Sequence, residues 1–598
     1  MRKNLWTVIV LTCLALSILL CTVVSSEDDV LGAASFEWQS GVFTQSENPR
    51  FSSDVGFFSL GTSDKQKAEK LRDFLLERLN NLNAYRNELS IGEYFFPNES
   101  TASVVLFFDL TKLSGVSLYY NSANKATTQE ILLSAMNDVR DKDPKAFWCK
   151  SQWVWYWNSS YKLTKFGIKL DCREDLDVNG GMQLLINKVN ALTAEFDGYV
   201  QKITDLIPEN YSDYQKILFV NDYLCTNYRY DIRYYSNPDS AIYNVYDFFK
   251  EDKGVCQAYA LAFMAIMDEL GIRCDSVVSE AINHIWNLVE LNEKWYHIDV
   301  TWNDPEFATL DYDTFGKATH SYFLLSSDAL LEKRPSGVFD IDGYGYEIGT
   351  EYDEPIVNLD KTLRSAFVEL DGTWYTTGYN EDTLSCGLCA LDSPDISLIT
   401  YDDLETHVYD IGLWTIEGEN TFYPYSYSYL VKYGDLILFN SPTAICVFDG
   451  NGVTELYVPE KAAAERIYGF TVKDGMVYVQ LATNPNSSGM ENATVITVKI
   501  LDLIKGKLAV RGYDKTTMKA TVYTPIATEA ILIFVSYDEY GRVLDCKIKE
   551  CLENSVIANG ENEYAAPDGF DTRGAEKIKI MVWENIAALS PMCKAFVQ

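Results

Sequence analysis

The sequence predicts an α+β domain in its first part, followed by two β-rich domains. Three observations carry that reading. Helical periodicity is strong up to about residue 350 and almost disappears beyond it. From 368 onward the chain repeats short strand-like runs separated by Asp-Gly or Gly-Asp turns. Between them, the stretch 254–305 joins an apolar helix to two strand-like runs and spaces a Cys, a His and an Asp along them. At 598 residues the chain holds about two to four domains, and 47% hydrophobic residues suffice for ordinary cores. A net charge of −36 argues against nucleic acid or an anionic membrane as partner.

Taken in order, residues 1–26 have the pattern of a signal peptide. Arg2-Lys3 precedes an apolar run over 5–24, and Ser25-Ser26 stand before Glu27-Asp28-Asp29. Cleavage after Ser26 predicts a secreted or extracellular protein, open to surface association and without stable membrane insertion. An uncleaved anchor is the alternative, because the run is long enough to span a bilayer. Leu20, where a lipidated Cys21 would need a small residue, argues against lipidation.

The region 27–209 reads as mixed. Ser63 is expected to cap a helix running to Leu79, with Leu71, Leu75 and Leu79 on one face. Runs at 104–110 and 116–120 read as strands about Gly115, 128–139 as a helix, 148–157 as an aromatic strand and 182–206 as a long helix.

The chemistry is expected at 254–305. Over 258–270 the chain is Ala, Leu, Phe, Met and Ile without Pro or Gly, and Gly271 stops it. A helix apolar on all sides is a buried one. Cys256 falls in its first turn, where unpaired N–H groups and the positive end of the dipole favour a thiolate and can hold an oxyanion. The runs 284–291 and 295–300, with Asn292-Glu293 between them, read as a β-hairpin. A two-residue turn places His284 and Asp299 on one face as diagonal neighbours, about 7–8 Å apart at the backbone. His297 falls on the same face. A buried structural Cys and a satisfied core His are the plain alternatives, and three members in one pattern outweigh them.

These residues carry a resemblance. Gly254-Val255-Cys256-Gln257-Ala258-Tyr259-Ala260, Asn283-His284-Ile285-Trp286-Asn287-Leu288-Val289 and Trp295-Tyr296-His297-Ile298-Asp299-Val300-Thr301-Trp302 resemble the transglutaminase-like superfamily in its secreted bacterial branch. The helix at 214–226 with Asn227-Tyr228-Arg229-Tyr230-Asp231 is similar to what precedes the nucleophile there, and Asp143-Pro144-Lys145-Ala146-Phe147-Trp148 to the region before the core. The resemblance is strong over 212–325. It implies a papain-like core with Cys256 as nucleophile, His284 as base and Asp299 as orienting acid. Ala258 stands where many relatives carry Gly. Tyr230 and Gln257 are candidates for the oxyanion or the cleft, and Trp286 and Trp302 for its walls. The expected catalytic domain is 27–349, with an N-terminal lobe.

The rest reads as β. A region at 355–504 holds hairpins at 368–375, 431–438 and 472–478, which predict a partial propeller or a sandwich. The last segment, 505–598, has the strand spacing of an immunoglobulin-like sandwich. Of thirteen cysteines eleven follow Ser26, and the lone Cys386-Gly387-Leu388-Cys389 lacks a second pair, so no metal and no cofactor are expected. A thiolate–imidazolium set forms a thioester with a protein or peptide substrate, a cell-wall or surface polymer being open too. Water then gives a protease or amidase, and a lysine amine gives a transglutaminase. Nothing marks an acceptor-lysine site, so hydrolysis of peptide or isopeptide bonds is favoured. A non-catalytic binding protein on the same scaffold is the reading from another class.

Overall fold

The structure, a computed structural model, describes residues 39–44 and 60–598 apart from short stretches, the longest being 171–180 and 305–314. The expected signal segment 1–26 lies outside the described residues. In chain order the elements that matter for the site are β1 (Gln39–Thr44), α1 (Thr62–Leu79), β2 (Leu89–Tyr94), β3 (Ser103–Asp109), α2 (Lys125–Lys142), β4 (Cys149–Trp157), β5 (Leu163–Leu170), α3 (Gly181–Thr204), α4 (Asp213–Asn227), α5 (Val245–Glu251), α6 (Cys256–Glu269), β6 (Cys274–Ser279), β7 (His284–Leu291), β8 (Lys294–Ile298) and α7 (Val300–Asn303). They divide between two compact units, each discontinuous in sequence. The first takes 1–208, 233–292 and 331–346; the second takes 209–232, 293–330 and 347–598.

In the first unit a five-stranded antiparallel sheet runs in the order β1-β4-β5-β3-β2. Its core is aromatic and aliphatic: Phe108, Trp153, Trp155, Phe166 and Ile168 are all sealed from solvent. Leu71, Phe74, Leu75 and Leu79 bury the inner stripe of α1, as their three- and four-residue spacing requires. Ser63 does not cap this helix. Gly61 holds the cap position without a side-chain bond, and Ser63 lies inside the first turn. The segment 116–120 also differs from expectation, making a single bridge, Tyr119 to Lys162, and no strand. Val116 and Leu118 are nevertheless buried, so the apolar alternation was real but had no ladder to join.

The helix α6 is buried along every residue from Cys256 to Met267 and stops at Gly271, whose φ of 71° suits only the left-handed turn. Asn244 caps α5 by accepting from the amides of Tyr246 and Asp247, and Phe248 packs edge-on against Tyr259 of α6. The strands β6 and β7 pair antiparallel, from Cys274 opposite Val289 to Ser279 opposite His284. Beyond β7, Asn292 and Glu293 both take positive φ (53° and 66°), the conformation of a tight two-residue turn.

In the second unit β8 ends at Ile298, and the expected strand does not reach Val300. Asp299 instead caps the short α7, its side chain accepting from the Trp302 amide. The chain beyond 368 is built of antiparallel sheets: four strands within 368–410, two within 414–423, four within 430–457 and three within 466–499. Within each, strand order follows chain order. Asp371-Gly372 and Asp474-Gly475 turn with positive φ at both positions, which places Leu370 opposite Thr373 and Lys473 opposite Met476. Past 509 come a three-stranded sheet, a two-stranded ladder and a four-stranded sheet. Ala520 and Val522 of the three-stranded sheet share a core with Leu532, Phe534, Ile578 and Ile580 of the four-stranded one.

Candidate active site

The nucleophile candidate is the first residue of α6. Val255 precedes it in extended conformation (φ −89°, ψ 178°) and offers no side-chain cap. The first amides of a helix have no intrahelical acceptor, and here the apolar N-cap residue makes no side-chain cap bond. Cys256 itself is a thiol outside any disulfide, 8% exposed. Its approach is sterically fixed, because a Cβ on Gly254 would come within 2.7 Å of the Ala258 Cβ and 2.8 Å of the Phe248 ring. Gly254 is thus required for closeness and not for a special φ. The face of α6 that carries Cys256 and Ala260 packs on Ile285. One turn along, the Asn287 amide donates to the Ala260 carbonyl at 3.1 Å, so α6 is pinned to the strand that begins with His284.

Gln257, the next residue, is buried and its amide donates to Asp141 Oδ1 at 3.1 Å. Asp141 lies in the last turn of α2 and is itself gripped by Arg140 through both carboxylate oxygens. The Gln257 side chain is therefore committed to holding the first turn of α6, which leaves its backbone amide as the part able to serve an oxyanion.

His284 is buried at the start of β7. Asn283 before it sits in the left-handed region at φ 55° and its amide bonds the Tyr234 hydroxyl, which sets the direction in which the chain enters the strand. Trp286, two residues on and on the same face, stacks with the imidazole at 5.8 Å between centroids and 20° between planes. It is fully buried, beneath the Arg334 guanidinium and against Phe339.

In the second unit Asp299 is 1% exposed, with Oδ1 accepting from the Trp302 amide at 3.1 Å. Trp302, expected to help exclude water, is 42% exposed and meets Tyr322 edge-on. Tyr230 lies half-buried in the short strand Arg229–Tyr230 after α4. His297 is buried with Nε2 at 3.0 Å from the Ser327 hydroxyl, a satisfied core position. Cys256, Gln257, His284 and Trp286 thus belong to the first unit, and Tyr230, Asp299 and Trp302 to the second. Asp141, Asn283 and Tyr234 escaped the sequence reading, although Asn283 before the motif His was a signal for a left-handed residue.

Several of the other thiols are made chemically quieter by burial. Burial pushes Cys386, Cys389 and Cys446 up to about 12 and raises Cys274 too. Cys386 and Cys389 are free thiols inside one strand, and Cys389 donates to the Leu404 carbonyl.

Comparison with known proteins meets this site directly. A family model described as "Transglutaminase-like superfamily" matches residues 198–300, a span that contains Cys256, His284 and Asp299. This part of the chain has a transglutaminase-like core. The transglutaminase-like core is also similar to the kyphoscoliosis peptidase of Mus musculus, 24% identical over 25% of this chain and 25% of that protein. The kyphoscoliosis peptidase of Homo sapiens is 23% identical over 22% of each chain. The chain therefore spans about a quarter of the length of the curated relatives it matches. A solved structure, "Crystal structure of a TGase", aligns at 15% identity over 24% of this chain and 42% of that one, with a TM-score of 0.17, too loose to carry argument. A transglutaminase-like core followed by many antiparallel sheets is the architecture. Among the described residues no helix is long and apolar enough to cross a membrane.

Proposed function

We propose that the chain is a secreted thiol enzyme that cleaves peptide or isopeptide amide bonds through Cys256, His284 and Asp299. The observation that carries this is the placement of a barely exposed thiol, outside any disulfide, at the first turn of α6, on the helix face packed against the strand that His284 opens. Asp299 enters the set through the resemblance of its sequence motif, which lies within the span matched by the family model. In this reading His284 takes the Cys256 proton and the sulfur attacks the amide carbonyl. The first-turn amides hold the oxyanion. The C–N bond then breaks as the imidazolium passes its proton to the leaving amine. Water, deprotonated by His284, attacks the thioester and releases the carboxylic acid and the thiol.

Hydrolysis is favoured over transfer to an amine because the curated relatives bear the name peptidase, and because nothing in the sequence marks an acceptor-lysine site. Secretion rests on the pattern of residues 1–26. The β-rich part, read as a propeller-like or sandwich region over 355–504 and an immunoglobulin-like one over 505–598, would hold the enzyme at a polymeric substrate. The test incubates the full chain with a casein-like protein mixture and a labelled primary amine, using Cys256→Ala as control. New peptide termini that depend on Cys256 are the expected result. Amine incorporation without new termini would replace hydrolysis by acyl transfer, and neither product from a chain with an unreactive Cys256 would leave a binding protein.

A further inference from the structure

The acid of the proposed set is one end of a buried polar network, all of it in the second unit. Both ends of the turn from Asp299 to Asn303 are clasped by the segment 319–322. The Asp299 amide donates to the Tyr322 carbonyl at 3.0 Å, and the Tyr322 amide donates back to Asn303 Oδ1 at 2.9 Å. Thr319 holds the Asn303 carbonyl twice, through its amide at 2.9 Å and its hydroxyl at 3.0 Å. Inside that segment stands His320, whose Nε2 lies 2.8 Å from Asp222 Oδ1 on α4. Asp222 Oδ1 also accepts from Asn221 at 3.0 Å, and its Oδ2 accepts from the Phe367 amide at 2.8 Å. The ring of bonds closes where the Asn303 amide donates to Asn221 Oδ1 at 2.9 Å.

Asn221, Asp222, Asn303 and His320 are all at least 96% buried. Nδ1 of His320 has no hydrogen-bond partner among the described residues, so the ring is held at Nε2 alone, with the edges of Phe323 and Phe367 around it. Packing could hold a surface segment with apolar side chains alone. Four buried polar side chains instead converge on one short turn, and a satisfied buried network fixes orientation more narrowly than apolar contact does. The bonds meet at the two residues, 299 and 303, that bound α7.

We infer that His320 and Asp222 are positioning residues for the reaction: they anchor the 319–322 segment and thereby set the orientation of the Asp299 carboxylate. The inference rests on the thiol-enzyme reading. It also gives the start of the β-rich part a role in the site, since the Phe367 amide completes the coordination of Asp222.

The test compares the full-length chain with His320→Leu, His320→Gln and Thr319→Val, reading the rate of Cys256 alkylation by iodoacetamide against pH beside the melting temperature. Leucine removes the donor, glutamine returns an amide nitrogen near the place of Nε2, and valine at 319 deletes one bond to Asn303 at almost constant shape. In His320→Leu the alkylation plateau is expected to move to higher pH, and the rate at pH ~6 to fall about tenfold or more. His320→Gln should recover most of that loss, and Thr319→Val should shift slightly in the same direction at an unchanged melting temperature. A wild-type profile in His320→Leu, or in Thr319→Val should the leucine variant not fold, overturns the positioning role. So does a glutamine variant as impaired as the leucine one. If the wild-type chain itself has no plateau below the ordinary thiol range, the thiol-enzyme reading fails and the positioning role falls with it.

Discussion

Gly254→Ala should disable the site from two residues away. The added methyl would meet the Ala258 Cβ at 2.7 Å, Phe248 Cδ2 at 2.8 Å and the Ile242 carbonyl oxygen at 3.1 Å. None of these is the free end of a long side chain. One is fixed to α6, one is a ring locked edge-on against Tyr259, and one is backbone already accepting from the Val255 amide at 2.9 Å. Relief requires α5 and the start of α6 to separate by several tenths of an ångström. Overpacking of this kind costs about 1–3 kcal/mol, against which alanine in place of glycine recovers about 0.4–1 kcal/mol from the unfolded chain. A net loss of about 0–2.6 kcal/mol follows from those two ranges, about 1 kcal/mol at their centres. The more telling effect is on Cys256, whose amide and thiol move with the strained turn. Urea unfolding measures the first effect, and the rate of Cys256 alkylation at neutral pH the second. Adding Ala258→Gly removes the 2.7 Å contact and should restore part of the alkylation rate. It should not restore stability, because glycine inside a helix costs about 1 kcal/mol. Wild-type stability together with a wild-type alkylation rate in Gly254→Ala would refute the steric argument.

Other outcomes follow from the same geometry. Cys256 should alkylate with a plateau well below the ~8.5 of a free thiol, while Cys386, Cys389 and Cys446, raised to about 12 by burial, stay unlabelled in the native chain at pH ~8; peptide mapping by mass spectrometry distinguishes them. Asp141→Ala strands Arg140 and the Gln257 amide and should cost about 2–3 kcal/mol in urea unfolding, with Cys256 labelling slowed. Asp141→Asn keeps an acceptor for Gln257 and should retain most of the labelling rate. The Lys294 ammonium and the Tyr296 hydroxyl hold Glu351 down to about 2. A carboxylate lowered in the folded state stabilises it above the unfolded value near ~4.3, and the benefit fades as pH falls toward about 2. Glu351→Gln should therefore flatten the acid limb of the stability–pH curve by lowering stability at neutral pH while leaving it nearly unchanged near pH ~2.

What the sequence disclosed was local. The apolar run after Cys256 could be read as a buried helix because no face of it is polar, and the strand from His284 to Leu291 has the bounds its β-rich composition implies. The Asp-Gly turns at 371–372 and 474–475 were legible because type I′ geometry demands residues that tolerate positive φ at both positions. Where local signals competed, the reading slipped. Asp299 continues a β-branched and aromatic run, yet its carboxylate caps the next amides and ends the strand. Long-range partners were not legible at all. His320 reaches back 98 residues to Asp222, Asn303 reaches 82 to Asn221, and Gln257 reaches 116 to Asp141. No periodicity encodes such pairs. The steric need for Gly254 likewise depends on Phe248 and Ile242, whose closeness exists only after α5 and α6 have packed.

The discontinuity of the two units bears on how the chain is made. Residues 209–232 emerge early in synthesis, but most of the unit they join, 347–598, is made last. The unit that holds Cys256 and His284 closes only after 331–346 has been made. The amide that completes the coordination of Asp222 belongs to Phe367, later still. With elongation at about 5–20 residues per second, the 111 residues that separate Cys256 from Phe367 in the sequence take on the order of 5–20 s. A growing chain therefore carries Cys256 well before the groups proposed to orient Asp299 exist. The proteolytic activity proposed above would be withheld from the nascent polypeptide.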